Sequence, residues 1–287
     1  MIKWNSYPDN RKKEGSGQVK LSVNRDVAVL TVATNRYIDY WKQMVQSAER
    51  LLAPGSNLTF YVFTDHPDEA REFGYSLSRS RIVPITTSSL GWPDATLLRY
   101  ELFRKSWDQV QGDVVIHLDA DMYFCSETIL SPDPGEWQGG IALVRHPGYR
   151  RPNLSRRLKL YLGAPQMLGG DLKMWLRLGA LGSWETSRDS VAYVPRQQRC
   201  TYVCGGTWMG LREPLGIMIS ELADRTRSDL ERGIVATWHD ESHLNWFAST
   251  HTHELLGSEK CFAQGYRNLD DLIPEIMAVD KGADRTR

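Results

Sequence analysis

Asp119 and Asp121 stand one residue apart at the end of an apolar run, in the stretch VVIHLDADMYFCSE (114–127). Two carboxylates flanking a single residue at a strand end can converge on one divalent ion. Hard oxygen donors of this kind suit Mn²⁺ or Mg²⁺ bridged to substrate phosphates. The same tripeptide admits two other readings. Asp-x-Asp can simply open a turn, or Asp119 can be a phosphatase nucleophile with Asp121 as general acid and Asp270-Asp271 supplying a metal. Against the phosphatase, position 123 is Tyr, where aspartate-nucleophile phosphatases usually carry Thr or Val.

A second constellation lies in ATWHDESHLNWF (236–247), where His239, Asp240, Glu241 and His243 fall within five residues, beside Trp238 and Trp246. A helix beginning here puts Asp240 and Glu241 at its positive end, which stabilises carboxylates whether or not they do chemistry. Between the two sites, TYVCGGTWMG (201–210) carries Gly205-Gly206. Paired glycines let backbone approach a ligand closely, or mark a turn or bulge. Cys200-x3-Cys204 with His239-x3-His243 offers four zinc ligands on paper. The gap between the pairs is far wider than in a compact finger, and Glu241 sits one place later than the zinc-protease pattern requires.

These residues need a scaffold. DVAVLTVAT (26–34), LTFYVFTD (58–65), SRIVPIT (80–86) and DVVIHLDAD (113–121) read as strands by their β-branched content. NRYIDYWKQMVQSAERLLAPG (35–55) reads as a helix, with Ile38, Trp41, Val45, Ala48 and Leu52 at helical spacing and Pro54-Gly55 ending it. Residues 68–73 and 95–110 are further helices. The alternation predicts an α/β fold with a mostly parallel, Rossmann-like sheet, in which ligands bind at the carboxyl ends of strands. Asp65, Asp119 and Asp121 all fall at such ends. After residue 130 the pattern turns irregular, with helices expected at 213–234 and 240–249.

Composition narrows the class. The 287 residues include 35 Lys+Arg and 35 Asp+Glu, so overall charge gives no basic excess for nucleic acid or a membrane surface. Ten tryptophans and twelve tyrosines offer flat faces for sugars or bases. No run approaches the ~20 apolar residues of a membrane span, and the polar N-terminus has no signal-peptide core. The expectation is a soluble, cytoplasmic chain with reduced cysteines.

Taken together, FYVFTD (60–65), HLDADMYF (117–124), RHPGY (145–149), Cys204-Gly205-Gly206 and above all WHDESHLN (238–245) resemble family 6 glycosyltransferases, the retaining α1,3-galactosyl- and N-acetylgalactosaminyltransferases that include the ABO blood-group enzymes. The similarity runs in order from about Val27 to Arg287. It implies a GT-A fold, a UDP-sugar donor, Mn²⁺ (with Mg²⁺ as a substitute), a galactose-containing glycan acceptor, and transfer of GalNAc or Gal in α1,3 linkage. By resemblance, Asp119 and Asp121 bind the metal and the donor, and Tyr37 lies near uracil and ribose. Arg99 orients the donor sugar, Asp240 holds it, and Glu241 is the nucleophile or charge stabiliser. His146 and Trp238 contact the acceptor. Lys281 and Arg287 belong to a tail that closes over the diphosphate.

On that reading the chain divides into an arm (1–25), a nucleotide-sugar-binding half (26–130), an acceptor-binding and catalytic half (131–278) and a mobile tail (279–287), one compact domain in all. The region 150–184 should line much of the acceptor site. The triplet Cys204-Gly205-Gly206 governs donor choice: Gly206 favours UDP-GalNAc through its lack of a side chain, whereas Cys204 leaves UDP-Gal open. Mammalian members carry a membrane anchor and stem, so a soluble bacterial or viral enzyme is expected. Many bacterial relatives have Asn-x-Asn in place of Asp-x-Asp; both aspartates here imply metal dependence. The class-different rival is a sugar-binding module that kept the fold and lost turnover, against which the intact Asp119, Asp121, Arg99, Glu241 and Lys281 argue.

Overall fold

The alternating apolar run after Arg25 forms the centre of a sheet. In the computed structural model, which describes residues 25–264, 266, 268 and 271–280, β1 (Asp26–Val32) pairs in parallel with β2 (Asn57–Thr64) on one side and β4 (Val114–Leu118) on the other. β3 (Ser80–Thr86) extends the sheet beyond β2. Side chains of a strand alternate between faces. Val27 and Val29 therefore join one core layer with Trp41, Met44 and Phe60, while Ala28 and Leu30 join the opposite layer with Tyr100, Phe103 and Trp208. The four strands expected between residues 26 and 121 are present, within three residues at their ends. The arm at 1–24 and tail residues 281–287 lie outside the described residues.

Helix α1 (Tyr37–Leu51) buries Ile38, Trp41, Val45 and Ala48, the positions that the spacing selects; Leu52, just past its end, is buried too. Helix α2 (Pro67–Gly74) follows β2. The helix expected over 95–110 breaks. α3 (Asp94–Leu97) and α4 (Arg99–Lys105) are separated at Leu98, and a 3₁₀ turn at Trp107–Gln109 replaces the end. The break lets both Leu97 and Arg99, on either side of it, be buried.

Beyond β5 (Met122–Phe124), the irregular half contains more order than its composition suggests. β6 (Ile141–Arg145), α5 (Leu154–Gly163), α6 (Pro165–Leu178), β7 (Val203–Leu211), α7 (Arg212–Glu231), α8 (His239–Thr250), β8 (Glu254–Leu256), β9 (Phe262–Ala263) and β10 (Ile276–Ala278) follow in turn. The large sheet has order β3-β2-β1-β4-β7-β6-β8, with β7 the one strand antiparallel to its neighbours; β5, β10 and β9 form a small second sheet. Gly205-Gly206 is thus part of a strand inserted beside β4, whose end carries Asp119, at the point where the pairing of β7 with β6 shifts register as at a bulge. Among the described residues no helix is long and apolar enough to cross a membrane.

α8 packs on α7 with an unusually polar inner face. His243 is fully buried; neither ring nitrogen has a hydrogen-bond partner among the described residues, and Nε2 lies 3.6 Å from Asp229. Burial, opposed in part by Asp229, holds its pKa down at about 4. The folded state therefore resists a proton that the unfolded chain accepts near pH 6.5, and stability is lost as pH falls from 6.5 towards 4. The full loss is on the order of 3 kcal/mol from this site. Urea unfolding at pH 7 and pH 4.5 should show a smaller acid loss in His243→Leu than in the parent chain; equal losses would mean that His243 does not titrate with folding.

Candidate functional site

The site forms where β1, β2 and β4 end and the antiparallel β7 begins. Thr34 and Asn35, just after β1, donate to the Leu90 carbonyl at 2.7 and 3.1 Å, and the Asn35 amide donates to Asp65 at 2.9 Å. The carboxylate of Asp65 therefore ties strand-end loops together. Tyr37 opens α1 directly after this knot and is half-buried, its ring 5.8 Å from that of Tyr40.

At the end of β4, the Asp119 amide donates to the Gly206 carbonyl at 3.0 Å. Arg99, at the start of α4, is buried beside it. Its Nη1 lies 2.9 Å from Asp119 Oδ1, 2.7 Å from His117 Nε2 and 3.3 Å from the Gly205 carbonyl, while Nε lies 3.2 Å from Asp240 Oδ2. Burial works against the guanidinium charge, but Asp119 and Asp240 more than offset it and raise the pKa. Burial and the neighbouring Arg99 keep His117 neutral, its pKa down at about 4. Nδ1–H then donates to the Leu30 carbonyl at 3.1 Å and Nε2 accepts from Arg99.

Asp240 and Glu241 begin α8. Asp240 is buried, which pushes its pKa up to about 7 despite Arg99. Glu241, half-buried, is likewise pushed up to about 7 by burial, against hydrogen bonds from the Gly205 amide and from Tyr202. The Gly205 amide donates to Glu241 Oε2 at 2.8 Å. The two glycines leave room for Glu241 and for Asp119. A Cβ at Gly205 would lie 3.2 Å from Glu241 Cβ, whereas one at Gly206 would lie 2.9 Å from Asp119 Oδ2 and 2.6 Å from Met122 Cε. Consecutive strand residues face opposite sides, so Glu241 and Asp119 sit on opposite faces of the double-glycine backbone.

Several supporting residues were not assigned a role from sequence. Asn245, one turn after Glu241, donates from Nδ2 to the carbonyls of Val203 and Glu241, both at 2.9 Å, and accepts from the Val203 amide at 2.8 Å. It docks α8 on β7 as a strand would, fixing Glu241 against Gly205. Buried Glu185 accepts from the amide and hydroxyl of Thr237 at 2.7 and 2.9 Å, anchoring the loop before α8. A buried amide in a helix beginning with two acids is a readable signal for Asn245; Glu185 gave none, because its partner lies fifty-two residues away.

Trp238 caps α8 at the protein surface, and the more exposed Trp92 packs its ring 5.2 Å from His239. His146 follows β6, its ring 4.8 Å from Tyr149 and 5.7 Å from Tyr202. Behind these rings opens a cavity of about 260 Å³ lined by Tyr149, Tyr202, Arg145, Arg150, Arg151 and Arg157 among others. The expected acceptor region thus contributes its inner side to this space, while the outer faces of α5 and α6 point elsewhere. On the other flank, the Val279 amide donates to the Asp121 carbonyl at 2.9 Å, so the chain leading to Lys281 passes the metal-ligand candidates. Lys281 and Arg287 themselves lie outside the described residues.

The zinc arrangement does not assemble. Cys200 lies against Ala248 and Ser249, buried Cys204 neighbours Cys261, and His243 faces Asp229. Among the described residues no three His, Cys, Asp or Glu side chains could jointly hold a metal. Asp119 and Asp121 nevertheless fit a divalent ion that completes its shell from water and substrate. Both are carboxylates at a strand end, and the Asp119 side chain keeps a third of its surface accessible while Arg99 fixes its other side.

Residues 18–131 match the sequence profile of glycosyltransferase family 6. Over 237 residues the chain is 25% identical to histo-blood group ABO system transferase 1 of Rattus norvegicus, covering 82% of this chain and 59% of the relative. It is 24% identical over 236 residues to globoside alpha-1,3-N-acetylgalactosaminyltransferase 1 of Gallus gallus, covering 80% and 60%. An O-antigen biosynthesis glycosyltransferase of Escherichia coli is 22% identical over 222 residues, covering 77% and 81%. The chain thus spans about three fifths of the first two relatives. With the GT-A-like sheet and the ordered set of matching motifs, these similarities support a family 6 glycosyltransferase.

Proposed function

We propose that the protein is a retaining hexosyltransferase that moves GalNAc, or Gal, from a UDP-sugar to a galactose-terminated glycan in α1,3 linkage. One observation carries the reading. Buried Arg99 bridges the Asp-x-Asp strand end to the Asp-Glu start of α8, while a double glycine separates Asp119 from Glu241. A strand-end carboxylate pair for a diphosphate and a carboxylate across the backbone from it are what glycosyl transfer requires. The names of the similar proteins, which include transferases of GalNAc and of O-antigen sugars, support the substrate class.

In the reaction, the bond between the anomeric carbon and the diphosphate oxygen breaks, and an acceptor hydroxyl oxygen bonds that carbon. The hydroxyl proton ends on the departing diphosphate. Asp119 and Asp121 are the residues that would hold Mn²⁺, which when bound offsets charge on the leaving diphosphate. Arg99 keeps Asp119 and Asp240 in fixed orientation, Asp240 towards the donor sugar. Glu241, in its ionised form, stabilises positive charge at the anomeric carbon, by covalent attack or electrostatically. Tyr37 is the residue that would meet the uridine, and His146 and Trp238 those that would meet the acceptor. Lys281 and Arg287 are the basic residues that would cover the diphosphate, which would also limit hydrolysis by water.

The direct test is turnover. Incubation with UDP-GalNAc or UDP-Gal, Mn²⁺ and a β-galactoside should release UDP and yield an α1,3-linked product, with activity abolished by EDTA. No UDP release from either donor across a broad acceptor panel would favour the sugar-binding rival, and full activity in chelator would remove Asp119 and Asp121 from metal binding.

Glu241→Gln keeps an acceptor for the Gly205 amide but loses the charge. Its kcat should fall by ~10²-fold or more, as for other lost electrostatic stabilisers; an unchanged kcat would exclude Glu241 from the chemistry.

The space above Gly206 is filled by Asp119 and the flexible end of Met122. Met122 can yield, so Gly206→Ala should act mainly by displacing the Asp119 carboxylate. We expect the Mn²⁺ concentration for half-maximal activity to rise by ~10-fold or more, in line with losses when a ligand is misoriented. A variant with unaltered Mn²⁺ dependence and changed donor preference would instead assign Gly206 to sugar selection alone.

A further inference from the structure

The neutral overall charge conceals a local excess. Between residues 150 and 178 there are seven cations, Arg150, Arg151, Arg156, Arg157, Lys159, Lys173 and Arg177, against one carboxylate, Asp171. Asp171 is already engaged by Arg151 Nε at 2.6 Å and by the Tyr161 hydroxyl at 2.7 Å. Arg156, Lys159, Lys173 and Arg177 are exposed; of these, Arg156 makes a loose ion pair with Asp271 at 3.7 Å.

The same segment carries the largest set of exposed apolar side chains in the described protein. Neither α5 nor α6 has a fully buried residue. Leu154, Leu158 and Leu162 recur every four residues along α5 and are 73%, 60% and 77% exposed. On α6, Leu168, Leu172, Trp175 and Leu176 share one stripe and are 46% to 58% exposed. Each helix turns a different side towards the protein: Arg157, Leu160 and Tyr161 in α5, and Met167, Asp171, Met174 and Leu178 in α6 are the less exposed positions. Single exposed leucines need no explanation, but a patch of seven large apolar side chains on two adjacent helices marks an interaction surface.

We propose that the α5–α6 hairpin docks this protein on an anionic lipid bilayer. Helices that lie in a membrane interface combine a leucine- and tryptophan-bearing face with lysines and arginines beside it, and basic residues near such a face are drawn to anionic headgroups. Angular position fits: in both helices the lysine, Lys159 or Lys173, follows the leucine stripe on the solvent side, away from the protein. Trp175, with Arg196 6.0 Å from its ring centre, supplies an amphipathic side chain of the kind enriched at headgroup depth. Charge selects the occupant. A second copy of the chain would bring the same four exposed cations, Arg156, Lys159, Lys173 and Arg177, to the contact, and repulsion would oppose the apolar gain; an anionic surface satisfies both features. The hairpin adjoins the arginine-lined cavity through Arg157, so docking would bring the acceptor side of the site near the headgroups. The proposal does not depend on the transferase reading.

The test is flotation of the intact chain with vesicles of phosphatidylglycerol and phosphatidylcholine, against phosphatidylcholine alone. Binding should be ~10-fold or more tighter to the anionic vesicles and weaken with added salt. Leu158→Glu with Leu172→Glu should lose it by at least ~10-fold, with an unchanged far-UV circular dichroism spectrum. Hydrogen exchange without any substitution gives an independent reading: anionic vesicles should slow exchange in 154–178 above other segments. Equal flotation of parent and double variant, or no added protection in the hairpin, would overturn the proposal. So would a concentration-dependent dimer, seen by sedimentation and abolished by the double variant, since the face would then belong to a second copy.

Discussion

One buried guanidinium organises this site. Arg99 reaches Asp119 on β4, Asp240 on α8, the ring of His117 and the Gly205 carbonyl on β7, drawing three elements to a single charge. An arginine removed from water is costly unless its charge is met by carboxylates and its donors by acceptors. Here the partners are the groups proposed for donor binding, so the condition that makes Arg99 tolerable also fixes the geometry of the site. His117 participates because burial keeps it neutral, leaving Nε2 able to accept. Removing the arginine would leave Asp119 and Asp240 facing one another through low-dielectric protein with no cation between them.

The second constraint is the antiparallel insertion of β7 beside β4. It sets two glycines next to the Asp-x-Asp strand end, and their missing side chains admit Asp119 on one face and Glu241 on the other. Asn245 completes the arrangement by pairing with Val203 on both of its backbone groups. The chemistry proposed for Glu241 would therefore depend on a residue that touches no expected substrate position but fixes α8 against the sheet.

How much of this was legible in the sequence follows from the range of the forces involved. β1 to β4 and α1 announced themselves through local periodicity, because each buries one regular face on the sheet. The break at Leu98 did not: it arises because Leu97 and Arg99 are buried on either side of it, a tertiary demand invisible in the helical spacing of 95–110. β7 did not read as a strand, since Gly205-Gly206 weakens any local strand signal, while its partner β4 lies some ninety residues earlier. α5 and α6 carry helical leucine spacing, but Gly, Pro and Trp around them obscured it, and no buried face confirms it. The carboxylates were readable by spacing and by resemblance; their convergence on Arg99 required the fold.

The charges also explain why the two acids of α8 sit near neutrality rather than fully ionised. Asp119 and Asp240 meet one buried cation, Glu241 follows Asp240 in sequence, and the anionic neighbours add to burial in holding Asp240 and Glu241 near 7. An anionic diphosphate entering such a place would be repelled unless positive charge came with it. On the proposed function, positive charge beside Asp119 would offset the small push that this aspartate exerts on Glu241, while the larger effect of burial would stay. A chain with asparagines at 119 and 121 would lack that coupling, since neutral amides neither draw in a cation nor raise the acids of α8.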